Sequence, residues 1–468
     1  MIKSFEIYSD KLKFGIRLLP RFHYYTEIVK KRHKTKGISY IYLEKLSDKI
    51  SDGEHSHIKR NKEKGIRYLY GRNIKEAVIN FDAISDDSFI KKEDYNYFTR
   101  THIKENDILI SIYGTIGKSA IYKEGYVGKA GIPRHIANIR LKKSSKLTKE
   151  FITAFFRSKI GKWQLYNLTT GNIQQLLSLK NIKKIEIPIL NKKIINKITS
   201  IEVHLLKYEM DAVNLINKAR EIFYKNLNLK INKNRSELDF KVKASDIFNS
   251  DMWTPKYMSP IFKETLKELI NKFEIIKLGR ISQIKKGDEI GNDNYIDYLN
   301  KKDQDTAFIR TSDIVNHSAD PFSDFFVSKE INDKINQDIK SNDILFTKDG
   351  KIGCVAIVTK NDAITIASGV LKIRLNELAK EKHITPEYLF LVLSTAETGF
   401  YPSLRRTVTA STIPHLREDR INDIEIPIIK KNKILEISEI IKKAFLLKDK
   451  KTALIKESSK IIDKLLLN

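Results

Sequence analysis

Asn106 to Tyr122 reads NDILISIYGTIGKSAIY, and Asn342 to Val358 reads NDILFTKDGKIGCVAIV, the same pattern in register without a gap. Other anchors recur in the same order. Leu18-Leu19-Pro20-Arg21-Phe22 pairs with Trp253-Thr254-Pro255-Lys256-Tyr257, and Thr148-Lys149-Glu150-Phe151 with Thr385-Pro386-Glu387-Tyr388. The offset between partners runs only from 234 (Ile139 to Ile373) to 239 (Ile185 to Ile424), so nearly the whole chain is one duplicated unit. That period far exceeds the roughly 20 to 50 residues of a solenoid repeat, so each copy is expected to be a globular domain with accessories.

Composition sets the outer limits. The 468 residues are 41% hydrophobic, enough for two cores. A net charge of +28 points to a polyanionic partner, although abundant lysine, isoleucine and asparagine also suit a biased composition with lysines coating solvated helices. Cys354 is the only cysteine, which excludes an intramolecular disulfide and a cysteine-rich zinc site and fits a reducing compartment. Its neighbours Gly353 and Val355 suggest a core thiol. The N-terminal stretch is broken by charges, and no apolar run approaches the roughly 18 residues that span a membrane, so a cytoplasmic protein is expected.

Within each copy the hydrophobic period changes at corresponding places. The opening stretch reads as strand, glycine turn, strand, with Gly114 and Gly117 matched by Gly350 and Gly353. Short β-rich runs follow at 137–141 and 370–375. Thr148 and Thr385 are good helix caps, and Pro386 suits a first turn. Each globular part ends on a strand, 184–190 and 423–429, closed by a proline. The fold class is mixed α/β. Two long helical patterns follow. Ile194, Ile198, Ile201, Leu205, Tyr208, Ala212, Leu215, Ala219 and Ile222 alternate spacings of four and three. Ile437, Ile440, Ala444, Leu447, Lys451, Leu454, Ser458, Ile461 and Leu465 repeat them, with partners from Ile198 onward at a constant offset of 239. The expected architecture is two α/β domains in a pseudo-twofold arrangement, joined by helices that form an antiparallel coiled coil. The spans are 1–190 and 236–429 for the domains and 191–235 and 430–468 for the helices. A seam from Ile194 to Ile222 is about 40 Å long, close to the roughly 34 to 36 Å of one DNA turn. Two amphipathic helices packed on their own domains are the alternative. Within the second seam, polar Lys451 and Ser458 are register devices or solvent-exposed ends.

The succession Asn106-Asp107-Ile108-Leu109, Gly-x-Ile-Gly, a turn with Gly171, Asn172 and Gln174, then Ile185-x-Ile187-Pro188 and a long helix resembles the target recognition domains of type I restriction-modification specificity subunits. The segment from Ser47 to Ile74, with an Asp-Gly-x-His turn, resembles that family's opening. Each motif alone is weak, but their order repeated twice is specific. The resemblance implies a non-catalytic subunit that reads a bipartite double-stranded DNA target, one half-site per domain, with the helices setting the spacer. It further implies two DNA methyltransferase subunits as partners, a restriction or translocase subunit that can join, and a role in phage defence. No cofactor is expected on this chain; S-adenosylmethionine belongs on the partner methyltransferase. Family members often carry a second proline and a Glu-Gln pair after the Ile-x-Ile-Pro strand, where this chain has Ile189-Leu190-Asn191-Lys192. That departure leaves a non-restricting or orphan methylation complex open as the partner system.

Catalytic signatures are missing. Asp320-Pro321-Phe322 has one proline too few for an amino-methyltransferase motif, and Gly114 to Ser119 has two residues between its glycines where a phosphate loop needs four. His55 and His57 have no partners at metal-site spacing, so a turn histidine or a DNA-backbone contact is the better reading. A self-sufficient methyltransferase is therefore disfavoured, and a purely structural scaffold is the rival that would show no sequence-dependent binding.

Candidate DNA contacts lie in polar loops between the shared strands, since bases are read by hydrogen bonds and phosphates by cations and backbone amides. In copy one these are Lys59, Arg60, Lys62, Arg72, Asn73, Arg134, His135, Asn172, Gln174 and Gln175. In copy two they are Arg310, Thr311, Ser312, Lys348, Lys351, Arg405, Arg406, Thr409, Ser411 and His415.

Overall fold

The computed structural model describes residues 29–60, 65–81, 89–114, 116–170, 175–229, 240–250, 252–289, 306–323, 325–409 and 413–467. The chain divides into two compact units. Among the described residues the first holds 29–81, 89–207 and 453–467, and the second holds 208–452.

The first unit is organised by a four-stranded antiparallel sheet. Its strands β2 (Ser47–Asp52), β5 (Ile108–Ser111), β6 (Ser119–Ile121) and β8 (Ile136–Leu141) run in the order β2-β8-β5-β6. A smaller sheet, β3 (Ile66–Tyr68), β4 (Phe89–Ile90) and β7 (Ala130–Gly131), pairs β3 with β7 in parallel. Strands β1 (Ser39–Tyr42) and β9 (Glu186–Ile189) form an antiparallel ribbon. Pro188 sits inside β9 rather than closing it, which a two-stranded ribbon with an open edge accommodates.

The second unit repeats this topology. Here β11 (Ser282–Lys286), β16 (Ile344–Thr347), β17 (Val355–Ile357) and β19 (Val370–Leu375) run β11-β19-β16-β17. A three-stranded sheet orders β15 (Phe326–Val327), β12 (Thr306–Ile309) and β18 (Ile364–Ile366), again with one parallel pair. β10 (Glu274–Lys277) pairs with β22 (Glu425–Ile428). Two short ribbons, β13 (Ile314–Val315) with β14 (Ser318–Ala319) and β20 (Val408–Thr409) with β21 (Pro414–His415), stand where the first unit has the single bridges Ile74 to Ile79 and Thr170 to Leu176.

The repeated residues have structural reasons. Asn106 and Asn342 both adopt the left-handed backbone, at φ +73° and +76°, a conformation asparagine tolerates better than most residues. The aspartate after each is buried and accepts a two-pronged hydrogen bond from the arginine of the neighbouring strand. Arg140 donates to Asp107 at 2.7 and 2.6 Å, and Arg374 to Asp343 at 2.6 and 2.7 Å. Both arginines are held above their ordinary pKa, chiefly by that bond. Thr148 and Thr385 cap as expected, accepting from the amides of Phe151 and Tyr388 at 3.1 Å. Each hydroxyl also meets one on a long helix, Thr199 and Ser438 respectively, at 2.7 Å. Thr254 caps the short helix Pro255–Met258; its anchor partner, residues 18 to 22, lies outside the described residues. Cys354 is buried, as expected of a core thiol.

The long helices are Lys192–Leu227 and Lys431–Leu467. In the first unit Ile195 and Ile198 share a core with Ile462 and Leu466. In the second, Ala212 to Leu227 share one with Ile434 to Phe445. The start of each helix thus accompanies the end of the other, which is antiparallel pairing. One half of the expected seam needs correction. Ile198, Ile201, Leu205, Ala212 and Ala219 are buried, but Ile194, Tyr208, Leu215 and Ile222 are half-buried, while Ile195, Glu202, Glu209, Ile216 and Phe223 are buried. The second helix behaves alike. Ile440, Leu447, Leu454, Ile461 and Leu465 are half-buried beside fully buried Ile441, Lys448, Ile455 and Ile462. Each helix faces a domain as well as its partner helix, so its covered stripe is wider than a two-position seam.

Two charged clusters sit in that stripe. Glu209, 0% exposed, receives Lys451 at 2.7 Å, Lys448 at 3.4 Å and the amide of Asn316 at 3.2 Å. Glu209 and Lys448 are themselves repeat partners at the offset of 239. In the first unit Arg157 pairs with Glu202 and donates to Ser458 at 3.1 Å. Lys451 and Ser458 are therefore buried partners of these clusters, not exposed ends. At the closing end of the second helix, Arg32 donates to the carbonyl of Leu467 at 3.0 Å and His33 meets that of Leu466. Basic side chains there satisfy terminal carbonyls. Among the described residues no helix is long and apolar enough to cross a membrane.

Candidate nucleic-acid interface

Each candidate surface grows from the glycine turn between the two central strands. In the first unit Gly114 and Gly117 stand at φ +74° and +84°, and the Gly117 amide donates to Ser111 at 2.8 Å. A methyl group on Gly117 would press within 3.0 Å of Leu165, so the turn has both conformational and steric need of glycine. Gly350 and Gly353 repeat the conformation at φ +64° and +82°.

The residue before the first glycine of each turn is presented outward. In the first unit it is Tyr113, 37% exposed, with its ring centre 5.0 Å from that of His135. The short helical turn Gly71–Asn73 lies against both, a Cβ on Gly71 falling 3.7 to 3.8 Å from their carbonyl oxygens. Arg72 rests 4.2 Å from the Tyr70 ring centre, and Arg60 lies 3.5 Å from Tyr70 and 4.6 Å from Tyr68. Aromatic faces hold these guanidiniums in place without neutralising them. Burial, then the charges of Arg134, Arg60 and His55, keep the His135 pKa below its ordinary value. Here Arg60, Arg72, Arg134 and His135 gather in one basic, aromatic patch.

In the second unit the same position is Asp349. His415 Nδ1 pairs with its Oδ1, and Lys348 Nζ lies 3.4 and 3.2 Å from its two oxygens. The turn Thr311–Asp313 takes the place of Gly71–Asn73, and Gly369 the place of His135. A Cβ on Gly369 would come within 2.9 Å of Thr311 Cγ2 and 3.5 Å of Asp349. Thr311, Lys348 and His415 thus meet around a carboxylate that sequence reasoning missed. The signal was present: Tyr113 and Asp349 are unlike residues inside a stretch that otherwise aligns.

Other expected contacts fall elsewhere. Lys59, Ser312 and Gln175 are exposed and Lys351 is half-buried. Arg310 stacks on Phe325 at 4.0 Å and pairs with Asp313 at 3.2 Å. Asn73 is buried as a turn cap, its side chain accepting from the Tyr70 amide at 2.7 Å, so it is withdrawn from the surface set. Lys348 is buried up to its contact with Asp349. Arg405 and Arg406 are corrected most. They end a short helix, not an open loop, and are 8% and 5% exposed. Arg406 donates to both oxygens of Glu425 at 2.8 and 2.9 Å, while Arg405 covers the Tyr257 ring at 4.3 Å. Lys62, Asn172, Gln174 and Ser411 lie outside the described residues, as does the side chain of Thr409. His55 Nε2 pairs with Asp52 at 2.8 Å, and Arg100 with the other oxygen of Asp52. Among the described residues no group of three His, Cys, Asp or Glu is placed to hold a metal.

Comparison with known proteins agrees with the doubled architecture. The family model of the type I restriction modification DNA specificity domain matches residues 49–201 and again 270–457. The chain belongs to that family and carries the domain twice, which places it in the DNA-specificity class. Solved structures similar to it include the S subunit of a type I restriction-modification system from M. genitalium, at 15% identity over 92% of this chain and 95% of that one, TM-score 0.32. The HsdS subunit from Thermoanaerobacter tengcongensis matches at 12% identity over 92% and 96%, TM-score 0.28. A chain from a study of complex assembly and conformational transition in the type I R-M system matches at 12% identity over 92% and 97%, TM-score 0.27. No curated protein matches.

Proposed function

We propose that this chain is the non-catalytic subunit that reads a bipartite DNA sequence, one half-site per unit, and directs DNA methyltransferase subunits to it. The observation that carries the reading is chemical divergence on a shared scaffold. The turn apex, the adjoining helical turn and the turn leading into the neighbouring strand hold Tyr113, Arg72 and His135 in one unit, and Asp349, Ser312 and Gly369 in the other. Two copies of one fold with unlike side chains at one place suit two different half-sites, because bases are told apart by donors and acceptors and not by charge alone. The net charge of +28 supplies the sequence-independent attraction to phosphates. Methylation chemistry and S-adenosylmethionine belong to the partner. A restriction subunit can join the same complex, or the complex can methylate without cutting.

Selection of bound duplexes from a randomised pool tests this with the purified full chain. The expected result is two short blocks of preferred bases separated by an unspecified spacer of fixed length. Binding without base preference, as a scaffold would show, or one uninterrupted block, overturns it. Affinity should also fall steeply with salt.

A further inference from the structure

We propose that Asp349 is a specificity-determining residue of the second unit, accepting a hydrogen bond from the exocyclic amino group of a cytosine or an adenine; this rests on the DNA-reading role proposed above. A carboxylate on a phosphate-facing surface is repelled by the backbone, so its favourable use on DNA is toward a donor. In the major groove the base-edge donors are the amino groups of cytosine N4 and adenine N6.

The surroundings suit that task. Asp349 stands at the apex of the glycine turn with its side chain 29% exposed, open enough to meet a base edge. Lys348, one residue back, lies 3.2 Å from Oδ2, and His415, from the ribbon of β20 and β21, holds Oδ1. Two contacts from two directions fix the carboxylate plane. An ionised carboxylate offers about four acceptor positions, so these contacts leave room for a base donor. In the turn before β19, Gly369 lets Thr311 and Asp349 close in, since a Cβ there would come within 2.9 Å of Thr311 Cγ2 and 3.5 Å of Asp349 Oδ2, whereas the first unit carries His135 at this position. The first unit places Tyr113 where Asp349 stands, which has no carboxylate to offer. The amino-group preference is therefore a property of one half-site only.

Selection from randomised duplexes with the full-length Asp349→Ala chain, alongside the unaltered protein, tests the assignment. The expected result is loss of preference for cytosine or adenine at one position, or two adjacent ones, of a single half-site, by roughly tenfold to a hundredfold. The other half-site and the melting temperature stay unchanged. Asp349→Asn should lose cytosine yet keep or gain adenine, whose N6 and N7 an amide meets in bidentate fashion. His415→Gln should weaken the same position to a smaller degree. If the unaltered chain selects a sequence and Asp349→Ala selects the same one, the assignment fails while the DNA-reading role stands. A drop in melting temperature, or a loss across both half-sites, makes Asp349 structural and also overturns it. An unaltered chain that selects no sequence overturns the DNA-reading role itself, and Asp349 with it.

Discussion

Tyr113 and Asp349 occupy one place in two copies of the same turn, and Asp107 and Asp343 occupy another place six residues earlier. The second pair is identical and performs one task twice, holding the arginine of the next strand. The first pair is unlike, and so are the side chains around it: Arg72 and His135 against Ser312 and Gly369. At this turn the duplicated scaffold therefore keeps its buried aspartate–arginine contact while the outward positions are replaced. A residue that matches between copies is explained by packing, and one that fails to match beside a matched glycine is a candidate reader.

The largest expected effect tests the scaffold half of that comparison. Glu209 is enclosed by Lys448 and Lys451, so Glu209→Ala leaves two buried cations uncompensated and should cost about 3 to 5 kcal/mol in chemical denaturation. If Glu209→Ala is nearly neutral, the trio does not hold the helices in register. Next come Asp107→Ala and Asp343→Ala, each expected to cost about 3 kcal/mol because a strand arginine loses its two-pronged acceptor. Equal losses in the two copies support a duplicated scaffold; a large loss in one and none in the other would break it.

A smaller effect separates surface from interior arginines. Arg72 is exposed, so Arg72→Ala should leave the melting temperature nearly unchanged, weaken DNA binding, and reduce the slope of affinity against salt by about one for each phosphate no longer neutralised. Arg406→Ala should do the reverse, lowering the melting temperature through removal of its ion pair with Glu425. Binding measured at several salt concentrations on folded variants distinguishes the two. An unchanged salt slope for Arg72→Ala would remove it from the interface.

Much of the scaffold was legible because it depends on local rules written twice. The caps Thr148 and Thr385, the glycine turns, and the helical period each follow from a few neighbouring residues. The helix stripe was half right for a reason the pattern cannot contain. Tyr208 and Glu209 are adjacent on one helix, and an apolar ring looks like the buried choice until Lys448 and Lys451 are seen beside Glu209. Arg405 and Arg406 looked like loop cations for the same reason, since Glu425 and Tyr257, both distant in sequence, meet them only after folding. Tyr70 and Tyr68 were overlooked because their role, stacking on Arg60, is a tertiary one.

The smallest effect is one of sign. His135 is held below its ordinary pKa of 6.5 by burial first, then by Arg134, Arg60 and His55. Between its folded pKa and 6.5 the unfolded chain binds more protons than the folded one, so stability rises with pH in that window. The contribution is fully present above 6.5 and is lost as pH falls toward the folded value. His33 in the same unit shifts the same way, again chiefly through burial, so the informative quantity is the difference between His135→Gln and the unaltered chain. The melting temperature of His135→Gln should decline less as pH is lowered through that window. Bound DNA acts oppositely on the same ring, because a nearby phosphate favours its charged form. Affinity should therefore rise with acidification over the window in which stability falls, and His135→Gln should lose that rise. A rise that survives the substitution would place the proton elsewhere and remove His135 from the contrast between the two turns.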